Sequence, residues 1–144
     1  MIALDTNILV YANRAEMASY TKARDAVAAL AEGSSPWALP WPCIHEFLSV
    51  VTSPRVFVVP TPPSDALEQV DAWLESPSVV LLAESGQHWS ELRSVILTAR
   101  AAGRLIHDAR IAALCLQHGV RELWSADRDF NRFPALTVVN PLVR

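Results

Sequence analysis

The chain has 144 residues, of which 51% are apolar and 19% charged, with a formal net charge of −3. That is enough apolar material for one core, so residues 1–144 are expected to form a single domain, and global disorder is excluded. The mild acidity argues against a generic basic nucleic-acid binder; two cysteines are too few for a disulfide scaffold; and no run approaches the roughly 20 apolar residues that cross a bilayer.

The chain opens with MIALDTNILVYAN. No basic region precedes its apolar run, so it does not read as a secretory signal, and a soluble cytoplasmic protein is expected. Ile2-Ala3-Leu4 is a short apolar run, a buried strand ending at Asp5. Thr6 to Ala12 is expected to be helical. Over 17–32, Tyr20, Ala23, Val27 and Leu30 step by three and four, as an amphipathic helix requires, and Gly33 stops it. Trp37-Ala38-Leu39 is a short strand. Pro42 sits in the first turn of the next helix, where its missing N–H costs nothing, and Ile44, Phe47, Leu48 and Val51 form that helix's apolar face.

Residues 53–63 carry Pro54, Pro60, Pro62 and Pro63 and are a connection. Ala66, Leu67, Val70, Trp73 and Leu74 mark another amphipathic helix. Val79 to Ala83 is continuously apolar and is expected to be a buried strand. Ser85 is placed to cap the helix after it, with Trp89, Leu92, Ile96 and Ala99 facing the core and Gly103 ending it. Residues 107–118 form a further helix, apolar all round from Ile111 to Leu116 and therefore mostly buried. Strands follow at Glu122–Ala126 and Leu136–Val139. The alternation predicts an α/β fold, a central mostly parallel sheet with helices on both faces. In such sheets ligands bind beyond the carboxyl ends of the strands.

Charge is unevenly spread. Residues 1–92 hold four basic and eleven acidic side chains, a net −7; residues 93–144 hold eight basic and four acidic, a net +4, and every basic residue there is arginine. Arginine forks match phosphate oxygens, although solvated helix faces give the same pattern. There is one lysine, Lys22, and four glycines. No GxxxxGK[ST] loop, GxGxxG fingerprint, GxSxG elbow or HExxH pair occurs.

The informative residues are acids. Asp5 directly follows the first strand, and Asp127 and Asp129 directly follow the strand that ends near Ala126. Both groups therefore fall at strand carboxyl ends. Asp108 lies in the first turn of an otherwise buried helix. Glu46 sits roughly 200° around its helix from Ile44, away from the apolar face. Each acid taken singly also has a structural role open to it, as a helix cap or an exposed residue. Their combined placement favours a site.

Four segments carry a resemblance: LDTNILVYA at 4–12, CIHEFLSV at 43–50, IHDARIAALCLQHGV at 106–120 and SADRDFNRF at 125–133, with NPL at 140–142. In content, order and spacing they resemble PIN domains, and specifically the VapC-type toxin ribonucleases of bacterial toxin–antitoxin pairs. The resemblance implies a three-layer PIN-like fold and a catalytic, metal-binding acid cluster formed by Asp5, Glu46, Asp108 and Asp127. Asp129 is a nearby candidate for the fourth acid, as a metal ligand. Ser125 stands where the family pattern has threonine. Thr6, Asn7 and Ser125 are the expected partners that orient carboxylates or water.

The resemblance further implies a Mg²⁺- or Mn²⁺-dependent endoribonuclease. Such hard cations prefer oxygen ligands and relieve the repulsion of converging carboxylates. Hydrolysis by water needs no ribose 2′-hydroxyl, so 5′-phosphate and 3′-hydroxyl ends are expected on cleaved structured RNA, tRNA or rRNA. Arg110, Arg128 and Arg132 are candidates for RNA phosphate contact. Trp37 and Trp41 are candidates for base stacking or for packing. His45 and His107, each beside an acid, are weak metal ligands, because neighbours on a helix diverge by about 100°. A VapB-like antitoxin, a homodimer and operator binding through the antitoxin complete the expectation. The alternative reading is a non-catalytic PIN-fold module that binds RNA or protein. A small-molecule phosphohydrolase is disfavoured, since the first strand ends in DTN and lacks a second acid.

Overall fold

A computed structural model describes residues 1–143; Arg144 lies outside the described residues. Five strands, β1 (Ile2–Leu4), β2 (Trp37–Pro40), β3 (Val79–Leu82), β4 (Glu122–Trp124) and β5 (Thr137–Val139), form one sheet in the order β3-β2-β1-β4-β5. Every pairing is parallel, with Ile2 opposite Trp37 on one side and Glu122 on the other. The connections hold helices α1 (Thr6–Asn13), α2 (Tyr20–Glu32), α3 (Trp41–Val51), α4 (Pro63–Leu74), α5 (His88–Ala99) and α6 (Leu105–Gln117), plus a short 3₁₀ turn at Arg128–Arg132.

The chain order explains where a crevice opens. From β1 the chain steps outward to β2 and β3, then returns across the sheet to place β4 on the other side of β1. Right-handed crossovers then put α1–α4 on one face and α5–α6 on the other. The packing agrees, since α1 packs on α2 and α3, α3 on α4, and α5 on α6. Connections leave β1 and β4 toward opposite sides, so a gap opens at their carboxyl ends. The core is built around β1 and β2, whose Ala3, Leu4, Trp37, Ala38 and Leu39 are fully buried. Trp37 is locked there by its indole N–H, which donates to Ser76 Oγ at 3.0 Å, so it is a packing residue and offers no face for a base. Trp41 is half-buried beside His45.

Several local expectations are corrected. β3 is an edge strand with one neighbour, so the apolar run at 79–83 is only partly covered and Val80 is exposed. Ser85 does not cap α5. The cap residue is Gln87, with no side-chain cap bond, and Ser85 Oγ instead accepts from Gln87 N–H and from the Gln117 amide. Trp89 leaves the core and is 68% exposed, in the first turn of α5. α5 stops at Ala99, where Arg100 takes a left-handed conformation (φ 52°), and Gly103 (φ 59°) belongs to the turn into α6. The helix expected over 17–32 starts at Tyr20.

Candidate active site

β1 ends at Leu4, and Asp5 is the N-cap of α1, its Oδ1 accepting the Thr6 backbone N–H at 2.8 Å. The carboxylate that caps the helix is also the candidate site residue at the end of β1. Its Oδ2 accepts from the Ser125 hydroxyl at 2.7 Å and from the Asn7 amide at 3.1 Å. Asn7 also donates to Ser125 Oγ at 3.3 Å, and its Oδ1 accepts the Ala126 N–H at 3.1 Å. With Asp5 N–H donating to Trp124 carbonyl at 3.0 Å, these bonds stitch the ends of β1 and β4 together. Ser125 Oγ accepts in turn from the Asp127 N–H at 2.9 Å, which sets the turn that carries Asp127. A hydroxyl is what this position needs, and serine supplies it as threonine would.

The other acids arrive by simple geometry. α6 runs back against the strands, so its first turn, with Asp108, lies at their carboxyl ends. α3 leaves β2 directly, and Glu46 is one turn further along. Asp5, Glu46, Asp108 and Asp127 line one cleft of about 210 Å³, together with Thr6 and Asn7. Asp129 does not line that cleft. It is exposed on the 3₁₀ turn, yet Asp108, Asp127 and Asp129 each offer an oxygen within 4.8 Å of the other two. The structure thus brings all five predicted acids to one place without choosing between Asp127 and Asp129. Asp129 N–H donates to Asp127 Oδ1 at 2.9 Å.

Electrostatics set this cluster apart from ordinary surface acids. Burial pushes Asp5 up to about 6, against the lowering bonds from Ser125 and Thr6, and the charges of Glu46 and Asp127 add to the rise. Asp108 is also raised to about 6, first by burial and then by the charges of Asp127, Asp5, Asp129 and Glu46. The donor set is all carboxylate oxygen. The Thr6 hydroxyl beside it is buried, with the Cys43 thiol as a polar side-chain neighbour. Hard oxygens, excess negative charge and a spare hydroxyl fit a hard divalent cation. The histidines do not join this ligand group.

One contributor was not foreseen. Cys43 is fully buried, and its Sγ lies 3.9 Å from Asp5 Oδ1, a long contact that a thiol can donate along. Burial, and then the charge of Asp5, hold that thiol well above its ordinary range. Its signal was available: Cys43 and Glu46 are three apart on α3 and so share a side. The arginines are mixed. Arg128 and Arg132 are exposed and make no ion pair among the described residues. Arg110 is bound to Glu84, with N–O distances of 2.7 and 2.9 Å.

A family model described as PIN domain matches residues 2–136. Ribonuclease VapC43 of Mycobacterium tuberculosis is 39% identical over 142 residues, covering 99% of this chain and 96% of the relative. The chain belongs to the PIN-domain family, among the VapC ribonucleases. The PIN fold is matched as well by solved structures. The Rickettsia felis VapBC2 complex, bound to a DNA fragment from its promoter, superimposes with a TM-score of 0.69 at 20% identity, covering 97% of this chain and 98% of that one. M. tuberculosis VapC20, described as a sarcin–ricin loop cleaving toxin, gives 0.67 at 14% identity, with coverage of 91% and 93%. At those identities the likeness concerns the PIN fold alone.

Proposed function

We propose that this chain, a single PIN domain, is the endoribonuclease toxin of a toxin–antitoxin pair. In this reading it hydrolyses phosphodiester bonds of structured RNA, tRNA or rRNA, and leaves 5′-phosphate and 3′-hydroxyl ends. The observation that carries the reading is the convergence of Asp5, Glu46, Asp108 and Asp127 on one cleft at the switch point of the sheet. Relatives named as ribonucleases support the RNA substrate. A solved relative in complex with its antitoxin and promoter DNA supports a VapB-like partner that carries operator binding. We also propose a cytoplasmic homodimer; no helix among the described residues is long and apolar enough to cross a membrane.

Asp5, Glu46, Asp108 and Asp127, with Asp129 as the alternative fourth acid, are the residues that would hold Mg²⁺ or Mn²⁺. Once bound, the cation supplies charge neutralisation at the phosphate and lowers the pKa of the attacking water. The protein's own groups do the positioning. Ser125, Asn7 and the Thr6 N–H fix the Asp5 carboxylate, so its oxygens need no reorientation when the RNA arrives. The Thr6 hydroxyl has hydrogen-bonding capacity left for water or a ligand oxygen. Arg128 and Arg132 flank Asp129 on the exposed turn and are free to contact backbone phosphates on the strand entering the cleft. Arg110 reaches a phosphate only by releasing Glu84.

The test is cleavage of total cellular RNA by antitoxin-free protein with Mg²⁺ or Mn²⁺, with an EDTA control and mapping of the 5′ ends. Discrete fragments that carry 5′-phosphates and disappear with EDTA are expected. Cleavage undiminished by EDTA would sink the metal-dependent reading.

A further inference from the structure

Beside the acid cleft lies a second hollow of about 280 Å³, set between α3 and α6. Glu46 and Ile111 line both, so the two spaces share a wall. On the far side of that wall stand His45 and Ser49 from α3 and His107 and Arg110 from α6. His45 precedes Glu46, and His107 precedes Asp108. Neighbours on a helix diverge by about 100°, so each helix that sends a carboxylate to the acid cleft sends an imidazole to the hollow.

The chemistry of the hollow narrows its occupant. A metal ion does not suit it, since the group of acid or histidine ligand atoms that converges among the described residues is Asp108, Asp127 and Asp129. A lone phosphate does not suit it either. Its permanent cation, Arg110, is already held by Glu84, and Glu46 stands in the wall as a like charge to the phosphate. A flat heteroaromatic ring does suit it. Two imidazoles offer faces and ring nitrogens, Ser49 offers a hydroxyl, and Pro42 and Ile111 offer apolar surface. The His45 ring is braced from behind by half-buried Trp41, with centroids 6.0 Å apart and planes tilted by 37°. Unpaired RNA bases are read in this way, splayed onto aromatic side chains and bonded along their edges.

We propose that this hollow receives the unpaired base of a nucleotide flanking the scissile phosphate, and that His45 and His107 set a base preference at that position. The proposal rests on the ribonuclease reading above. It makes the two histidines specificity residues that touch the substrate away from the bond that breaks.

The experiment uses the intact protein with Mg²⁺ on RNA hairpins that share one stem and carry a randomised loop, with the cut ends sequenced. Wild type, His45→Ala/His107→Ala, His45→Phe and Asp108→Asn are compared. The wild type is expected to show a base preference at one position adjoining the cut. The double alanine variant should flatten that preference and raise KM by about 5- to 150-fold, the range that loss of base stacking gives. His45→Phe, which keeps a stacking face, should recover most of the KM. A double variant with the wild-type base profile overturns the proposal, whatever its KM, and so does a wild type with no preference beside the cut. If the wild type shows no cleavage that Asp108→Asn removes, the nuclease reading itself fails and takes this one with it.

Discussion

Helix α1 is bounded by two buried charges of opposite sign. Asp5 caps its N-terminus and Arg14 its C-terminus, each with the sign that the helix dipole favours. Around Arg14 the charge is compensated within the chain. Its guanidinium bonds to Glu16 Oε1 at 2.6 and 2.7 Å, to Thr61 Oγ1 at 2.8 Å and to the Val59 carbonyl at 2.7 Å, and lies 4.0 Å from the centre of the Phe57 ring. It pins the proline-rich connection to the end of the helix. Asp5 is also well bonded, but further carboxylates crowd it and no basic side chain among the described residues lines its cleft. A charge held for the fold is compensated within the chain. On the proposed function, Asp5 is held for chemistry, and its charge is left in want of something from outside.

The sharpest way to break this contrast is to remove each charge in turn. Asp5→Asn keeps size and shape and removes the crowded charge, so no large loss of stability is expected at neutral pH. RNA cleavage should fall by about 10³-fold or more, the scale of losing several kcal/mol of charge stabilisation. Arg14→Ala should do the reverse. Loss of its charged hydrogen bonds and of the Phe57 contact should destabilise by about 2–4 kcal/mol, while kcat per folded molecule stays near wild type. Denaturant melts and turnover measured on both variants decide it. A large loss of stability in Asp5→Asn would place that charge with the fold after all.

Titration sharpens the same contrast at a smaller scale. Asp5 and Asp108 are raised from 3.8 to about 6. A carboxyl whose folded pKa is raised favours the folded state below the unfolded value and loses that contribution as pH rises through the folded one. Metal-free protein should therefore lose stability between about pH 4 and 6. For Asp5 the loss is about 3 kcal/mol, from a shift of roughly two units. Mg²⁺ or Mn²⁺ should restore it, with a larger rise in Tm at pH 7.5 than at pH 5.5, where protons compete. Equal rises at both pH values would contradict the argument.

The smallest expected effect concerns Ser125. Ser125→Ala removes the 2.7 Å donor to Asp5 and the acceptor for Asp127 N–H. Loss of such an orienting partner lowers metal affinity by about 10- to 100-fold, which calorimetric titration with Mn²⁺ measures. Ser125→Thr, the residue that the family pattern carries there, should restore it.

Much of this was legible in the sequence, for identifiable reasons. Strands and helices whose apolar spacing was decided by the central core, such as β1, β2, α3 and α6, follow periodicity closely. The parts that departed are those where neighbours decide. Val80 and Trp89 are apolar but lie at an edge and at a helix end, where no layer covers them. Ser85 could cap a helix, yet Gln117 and the Gln87 N–H claim its oxygen. The acids were legible because the chain order puts strand ends and helix starts on one side. Their support was less so. Cys43 reaches Asp5 from another helix, and Arg14 finds its partners more than forty residues away, which no local pattern records.

The bond from Ser125 to Asp5 spans 120 residues. In an all-parallel sheet, β1 has no partner until β2 is made, and the gap beside it stays open until β4 arrives late in synthesis. Asp127, carried on the turn after β4, follows later still. A nascent chain on the ribosome thus holds Asp5 and Glu46 long before it holds a complete cleft. The order of the strands keeps the acid cleft incomplete until β4 and the turn that carries Asp127 have been made.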